Sequence, residues 1–400
     1  MSLGLKSRPR RYAAVLTTVM LGFGVMSAPS AQALQRPATG SSLESELFGV
    51  SCSSASACTA VGDDETSAGA SVALAERWNG TAWSVQTPAN PTGSQASYFN
   101  GVTCTSSSAC TAVGNYVTSA GGSAPLVEQW NGSAWSVQSA PTPSGATGAF
   151  LQSVSCTSTS ACISVGYYLT GGTYQLLAEG WNGTSWAIQT IPTPTGATGG
   201  FLYGISCTSA SACVTTGSST TSTSSTLALA EVWNGTAWTV QTTPGPTGAT
   251  ASQLYGVSCT STSACISVGT YNNSAGASVA LAEQWNGTAW SVQSALTPTG
   301  ATVGILSGVS CTSASACTSV GWYENSSGVY ETLAEVWNGT AWTIQTTPNP
   351  AGASDSYLFE VSCPTTTSCT AAGYSLDSTY TALAEGWNGT SWAIQSTPRP

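Results

Sequence analysis

The chain has 400 residues, of which only 6% are charged and none is histidine, with 7 Lys and Arg against 17 Asp and Glu for a net charge of −10. Nucleic acid and anionic membranes are excluded as expected partners, since both demand clustered cations, and nucleophilic catalysis with a histidine base is ruled out. With 15 Trp and 41% hydrophobic residues, the chain can bury a core and need not be disordered.

At the N-terminus, Lys6, Arg8, Arg10 and Arg11 precede an apolar run from Ala13 to Val25, and Ala31-Gln32-Ala33 offers small residues for cleavage. This predicts a secretory signal peptide over 1–33 and a short lead over 34–45. No later stretch approaches the roughly 20 apolar residues of a membrane span, so a secreted, extracellular protein without membrane insertion is expected. Four of the seven cations lie in the signal, which leaves Arg36, Arg77 and Arg399 against every acid.

Residues 46–400 repeat. "AERWNGTAWSVQ" at 75–86 returns six more times with small changes, and its glutamates are Glu76, Glu128, Glu179, Glu231, Glu283, Glu335 and Glu385, spaced by 50 to 52 residues. The 14 cysteines fall in pairs six apart, one pair per repeat: Cys52-Cys58, Cys104-Cys110, Cys156-Cys162, Cys207-Cys213, Cys259-Cys265, Cys311-Cys317 and Cys363-Cys369. An even count in an exported chain predicts local disulfides. Zinc is the rival, but two ligands per repeat and no His fall short of the usual four. Closing so short a loop contributes about 2 kcal/mol.

Within the first repeat, "ELFGVSC" and "ACTAVG" read as a hairpin stapled by its cysteines, "VALAERW" as a third strand and "TAWSVQ" as a fourth. Asn79-Gly80 predicts a two-residue type I′ turn. That register sets Trp78 opposite Thr81, Glu76 opposite Trp83 and Leu74 opposite Val85, all on one bulky face, with Ala73, Ala75 and Arg77 on a smaller one. Such a sheet suits stacking on copies of itself, each large face meeting the next repeat's small one. Four strands in about 52 residues, seven times over, predict an all-β fold, a seven-bladed β-propeller with four antiparallel strands and one disulfide per blade. An open solenoid or a string of disulfide modules would use the same repeat, but the short connectors favour a ring, closed between whole blades rather than by a shared one.

The Trp, turn, Gly, Trp order of "WNGTAW" resembles the tryptophan-rich hairpins of seven-bladed propeller lectins. Together with "VSCTS…SAC…VG" it is also similar to a group of secreted actinobacterial propeller proteins. The resemblance implies the propeller architecture over residues 46–397 and, for the second hairpin alone, sugar binding.

A sialidase-like clamp needs three arginines, and only Arg77 lies within a repeat. A glycosidase needs two carboxylates, for which Asp63, Asp64, Glu65, Glu324, Glu331, Asp355 and Asp377 are candidates without a distinguishable pair, so enzyme activity stays open and a noncatalytic role is favoured. Neither a metal nor a cofactor motif appears. Recurrence in every repeat makes the seven glutamates structural, each expected to accept a hydrogen bond from an indole or a neighbouring blade's backbone; equivalent ligand pockets are the alternative. Function is expected where the repeats differ, on second-to-third-strand loops carrying Tyr116, Tyr167, Tyr168, Tyr271, Trp322, Tyr323, Glu324 and Tyr374, with Trp322 foremost. The reading is a monomeric binding propeller for carbohydrate or an extracellular protein; the alternatives are a glycan-active hydrolase or lyase using loop carboxylates, and a cell-envelope scaffold.

Overall fold

A computed structural model describes residues 44–398. The expected signal peptide and most of the lead lie outside the described residues. The lead's last residue, Ser45, already belongs to the first strand.

Each repeat folds as an antiparallel meander of four strands, in the first repeat β1 (Ser45–Ser54), β2 (Ala57–Glu65), β3 (Ser71–Trp78) and β4 (Trp83–Gln86). The fold is an all-β propeller of these repeated four-stranded sheets, each closed by one disulfide, between directly paired cysteines in the first six repeats. Repeats two and three are further joined into one eight-stranded sheet by a short parallel pairing at Ser123 and Gly148. Among the described residues no helix is long and apolar enough to cross a membrane.

The repeats stack large face to small, but in the direction opposite to that expected: the large face of each repeat meets the small face of the one before it, not of the next. Val61, Ala73 and Ala75 of repeat one pack against Phe99, Leu126, Trp130 and Trp135 of repeat two, and six further clusters join neighbouring repeats likewise. One of them seats Leu47, Leu74 and Trp83 of repeat one on Ala372, Ala382 and Ala384 of repeat seven. The polar contacts repeat as well: a serine hydroxyl accepts the next repeat's cysteine N–H, as Ser51 does from Cys104 at 2.9 Å, and Ser362 does the same from Cys52 at 2.9 Å. Among the described residues no strand is shared between the terminal repeats.

The Asn-Gly hairpin departs from the expected register. Trp78 pairs with Trp83 and Glu76 with Val85, so the loop holds four residues, and only Gly80 takes positive φ (96°). The cause is the Asn79 side chain, whose Oδ1 accepts from Thr81 N–H (2.9 Å), the Thr81 hydroxyl (2.8 Å) and Ala82 N–H (2.9 Å). This Asx turn outcompetes a backbone I′ turn. Because the register moves by two residues, every side chain keeps its predicted face.

A β-bulge interrupts the first strand of each repeat; in the first it falls between Leu47 and Gly49. There the first strands approach one another closely: a Cβ on Gly101 would lie 2.8 Å from Gln152 O, and one on Gly256 would lie 2.7 Å from Ser307 O. Glycine at these positions lets neighbouring backbones meet.

Candidate functional site

The seven repeated glutamates are fully buried on third strands, 0% exposed. Their partners differ by repeat. Glu128 accepts Ala89 N–H at 2.7 Å and Asn90 N–H at 3.1 Å from the preceding connector, and Glu335 accepts Leu296 N–H at 3.0 Å. Three residues after the closing glutamine, where Ala89 and Leu296 stand, the other connectors carry Pro141, Pro192, Pro244, Pro348 and Pro398. Proline has no N–H to give.

Consequently Glu76, Glu179, Glu231, Glu283 and Glu385 have no hydrogen-bond partner on either oxygen, the Thr332 hydroxyl lying close enough to Glu385 only to oppose its upward shift weakly. Burial pushes these five carboxyls up to about 8. Burial also raises Glu335 to about 8 and raises Glu128, opposed by the connector N–H donors. The six carboxyls pushed up to about 8 favour the protonated form at pH 7, held between blades.

The expected indole donors go elsewhere. Trp83, Trp135, Trp238 and Trp392 donate to Gln395, Gln86, Gln189 and Gln345 of the neighbouring repeat, while Trp181, Trp233, Trp285 and Trp387 donate to carbonyls of their own cysteine hairpins.

The variable aromatics lie on strands rather than loops, because the second strands run on through them before turning. Trp322, on the second strand of repeat six (Ala316–Glu324), is only 5% exposed and packs on Tyr357 and Phe359 of repeat seven, with ring centroids at 5.6 and 5.3 Å. It forms the base of a shelf. Tyr374 lies at 5.1 Å from Tyr357 and 5.3 Å from Tyr380, Tyr330 stacks on Tyr357 at 5.5 Å, and Phe48 of repeat one closes the cluster at 5.4 Å from Phe359. Tyr330, Tyr357, Tyr374 and Tyr380 are half-buried.

Carboxylates edge this shelf. Asp355 accepts Tyr330 N–H at 3.1 Å, and Glu324 accepts the Thr302 hydroxyl at 2.5 Å. The Tyr330 phenol is raised by burial first and then by Glu324 and Asp355. Tyr323 points away from Trp322 by strand alternation, donates its hydroxyl to Glu331, and is pushed up to about 12 by burial and that contact.

Of the other expected site residues, Tyr116 and Tyr168 pack into inter-repeat cores, and Tyr271 is half-buried opposite Val279. Tyr167 belongs to a second aromatic cluster, 5.1 Å from Phe150 and 4.9 Å from Phe201, which continues to Tyr174, Tyr203 and Tyr255. The structure thus brings Trp322 and Tyr374 together with Glu324 at the rim, and places Tyr116, Tyr167, Tyr168 and Tyr271 in other repeats.

Sequence reasoning missed the first-strand members, Phe48, Tyr357 and Phe359, and also Glu360. Glu360 stands where five repeats carry glycine, its carboxyl beside Gly308 and raised by burial to about 8. For Phe48, Phe359 and Glu360 the signal was present as variation at the two positions before "VSC"; Tyr357 lies four before it. Among the described residues no group of three or more His, Cys, Asp or Glu could hold a metal.

No family model and no curated protein matches the chain. Among solved structures it is similar to a PL25 polysaccharide lyase, an ulvan lyase, at 9% identity and a TM-score of 0.58 over 86% of this chain and 92% of that one. It is also similar to YCF48 bound to a D1 peptide (12% identity, TM-score 0.48, 89% and 95% covered) and to the fucose-specific lectin of Aleuria aurantia (9%, 0.45, 88% and 95%). The likeness to the lyase speaks for the fold alone.

Proposed function

We propose that the repeats form a closed ring of seven blades, secreted from the cell, that acts as a noncatalytic binding protein for carbohydrate. The observation that carries the reading is the shelf of Tyr330, Tyr357, Tyr374 and Tyr380 over Trp322, with Glu324 and Asp355 at its rim. Aromatic faces take the apolar side of a sugar ring, while carboxylates accept from its hydroxyls. Closure into a ring is supported by the repeat-seven-to-one contacts, which use the same serine, glutamine and alanine positions as the other interfaces. Glu331 is occupied by Tyr323 and Asn325, which disfavours it as a catalytic base.

A glycan array probed with the wild type and with a Tyr357→Ala/Tyr380→Ala variant tests this. Hits lost in the variant, with its melting temperature maintained, support the shelf; silence across neutral and acidic glycans refutes it.

A further inference from the structure

We propose that the tyrosine shelf selects glycans bearing a free amino group, as in a deacetylated hexosamine chain, over neutral ones and rejects acidic ones. The inference rests on the reading of the shelf as a sugar site and names the class of sugar.

Charge is divided unevenly among the repeats. Of the 17 acids, seven are the buried repeated glutamates, which leaves ten. Five of these lie between Glu44 and Glu65 at repeat one, the other five belong to repeats six and seven, and repeats two to five have none. The same three repeats build the shelf, from Trp322 and Tyr330 in repeat six through Tyr357 and Tyr374 in repeat seven to Phe48 in repeat one. All ten except Glu360 stand near the strand ends away from the disulfides, where the shelf lies. The second aromatic cluster, in repeats three to five, has no such companions: Leu169, Thr220 and Asn272 stand where repeat six has Glu324.

Positive charge is placed elsewhere. Among the described residues the single Lys or Arg is Arg77. It pairs with Thr59 beside the disulfide of repeat one and lays its guanidinium over Trp130 at 5.7 Å. Among the described residues, therefore, no guanidinium or ammonium stands at the shelf to hold a carboxylate or sulfate of an acidic sugar.

Two carboxylates meet the rings. Tyr330 pairs across the strands with Glu324 and donates its N–H to Asp355 Oδ1 at 3.1 Å, while its ring stacks on Tyr357 at 5.5 Å. Asp355 and Tyr357, two residues apart on one strand, share a face. Both acids act on both phenols: Tyr330 and Tyr357 are raised first by burial and further by these two charges. Glu324 accepts the Thr302 hydroxyl, and Asp355 accepts Tyr330 N–H and, at 3.3 Å, the Ser354 hydroxyl. A carboxylate offers about four acceptor sites, so capacity remains for a donor lying on the rings.

The chemistry selects an ammonium. Ring faces attract a cation within about 6 Å of their centroids, and a carboxylate beside them adds a charge-assisted hydrogen bond. A bare calcium ion fits poorly, since it takes about six to eight oxygens and among the described residues no three acids converge on a metal position. A sugar fits better than a lysine side chain. Four tyrosine rings in succession, at steps of 5.5, 5.1 and 5.3 Å, offer more apolar contact than one ammonium on a flexible stem can use.

Calorimetric titration with a β-1,4-linked glucosamine tetramer and with its fully N-acetylated counterpart tests this. The probes share ring and linkage and differ in charge. The amino tetramer is expected to bind at least about tenfold more tightly, with an advantage that shrinks as salt is raised to about 1 M. Glu324→Gln/Asp355→Asn keeps the rings and an acceptor for Tyr330 N–H, and should bring the two tetramers to equal affinity. Equal affinity in the wild type, lost in Tyr357→Ala/Tyr380→Ala, would overturn the inference and leave the shelf standing as a neutral-sugar site. A preference that persists in Glu324→Gln/Asp355→Asn, or silence from both tetramers, would overturn it as well. Tetralysine is the third probe: binding as tight as that of the amino tetramer would mean that the shelf reads an ammonium without its sugar, against the proposal.

Discussion

Replacing Glu231 by glutamine probes the neutral-acid interfaces. The carboxyl is fully buried with neither oxygen hydrogen-bonded, and its pKa moves from 4.5 to about 8 by desolvation. A folded pKa above the unfolded one means that the native state holds the proton more tightly. The associated stability is therefore complete below pH 4.5 and is lost as pH rises through 8. At 1.36 kcal/mol per unit the full loss is about 5 kcal/mol for this one group, an upper limit because any opening of the interface would relieve it. Glutamine cannot ionise, so the variant escapes that loss. It carries a second N–H in place of one O–H, and burying this without an acceptor costs about 1–3 kcal/mol at every pH. Glu231→Gln should be less stable than wild type at pH 4 and more stable at pH 9, with the crossover between about pH 5 and 7. Thermal melts at both values, disulfides intact, read this directly. An equal difference between variant and wild type at pH 4 and pH 9 would refute the neutral-acid reasoning. Glu128→Gln is the control: its oxygens accept two backbone N–H groups, so the amide should destabilise at both pH values.

Pro192→Ala restores the backbone donor that Ala89 offers to Glu128. It should lower the Glu231 pKa and flatten the pH dependence of the melting temperature, at a cost of about 0.4–1 kcal/mol from the looser unfolded chain. Asn79→Ala removes the acceptor of three hydrogen bonds in the second hairpin and should cost about 1 kcal/mol in urea titrations, as loss of a capping side chain does. A Cβ on Gly269 would lie 1.9 Å from the Gln253 carbonyl oxygen, a backbone clash without escape. Gly269→Ala should destabilise by more than about 3 kcal/mol; a soluble variant with an unchanged melting temperature would contradict the packing of that repeat.

Much of the architecture was written locally. The spacing of the glutamates and cysteines, the four strands of each repeat and the assignment of Leu74, Trp78 and Trp83 to one face all follow from period and alternation along one chain segment. Even the mistaken hairpin register left these faces intact, because the Asn79 side chain moved the pairing by an even number of residues.

What the tertiary structure decided depends on partners distant in sequence. The proline at 192 and the glutamate at 231 are each legible, yet only the packing of a connector against the next blade shows that one withholds a donor from the other. Trp322 looked like a loop aromatic until its strand was seen to continue and a neighbouring repeat's Tyr357 and Phe359 to cover it. Gly180 reads as a neutral variation within its own strand; only the folded sheet shows the Gln189 side chain of the next strand lying over it. Alternation along a strand is set by the backbone, and a sequence carries it whole, whereas satisfaction of buried groups and the filling of space are settled between blades.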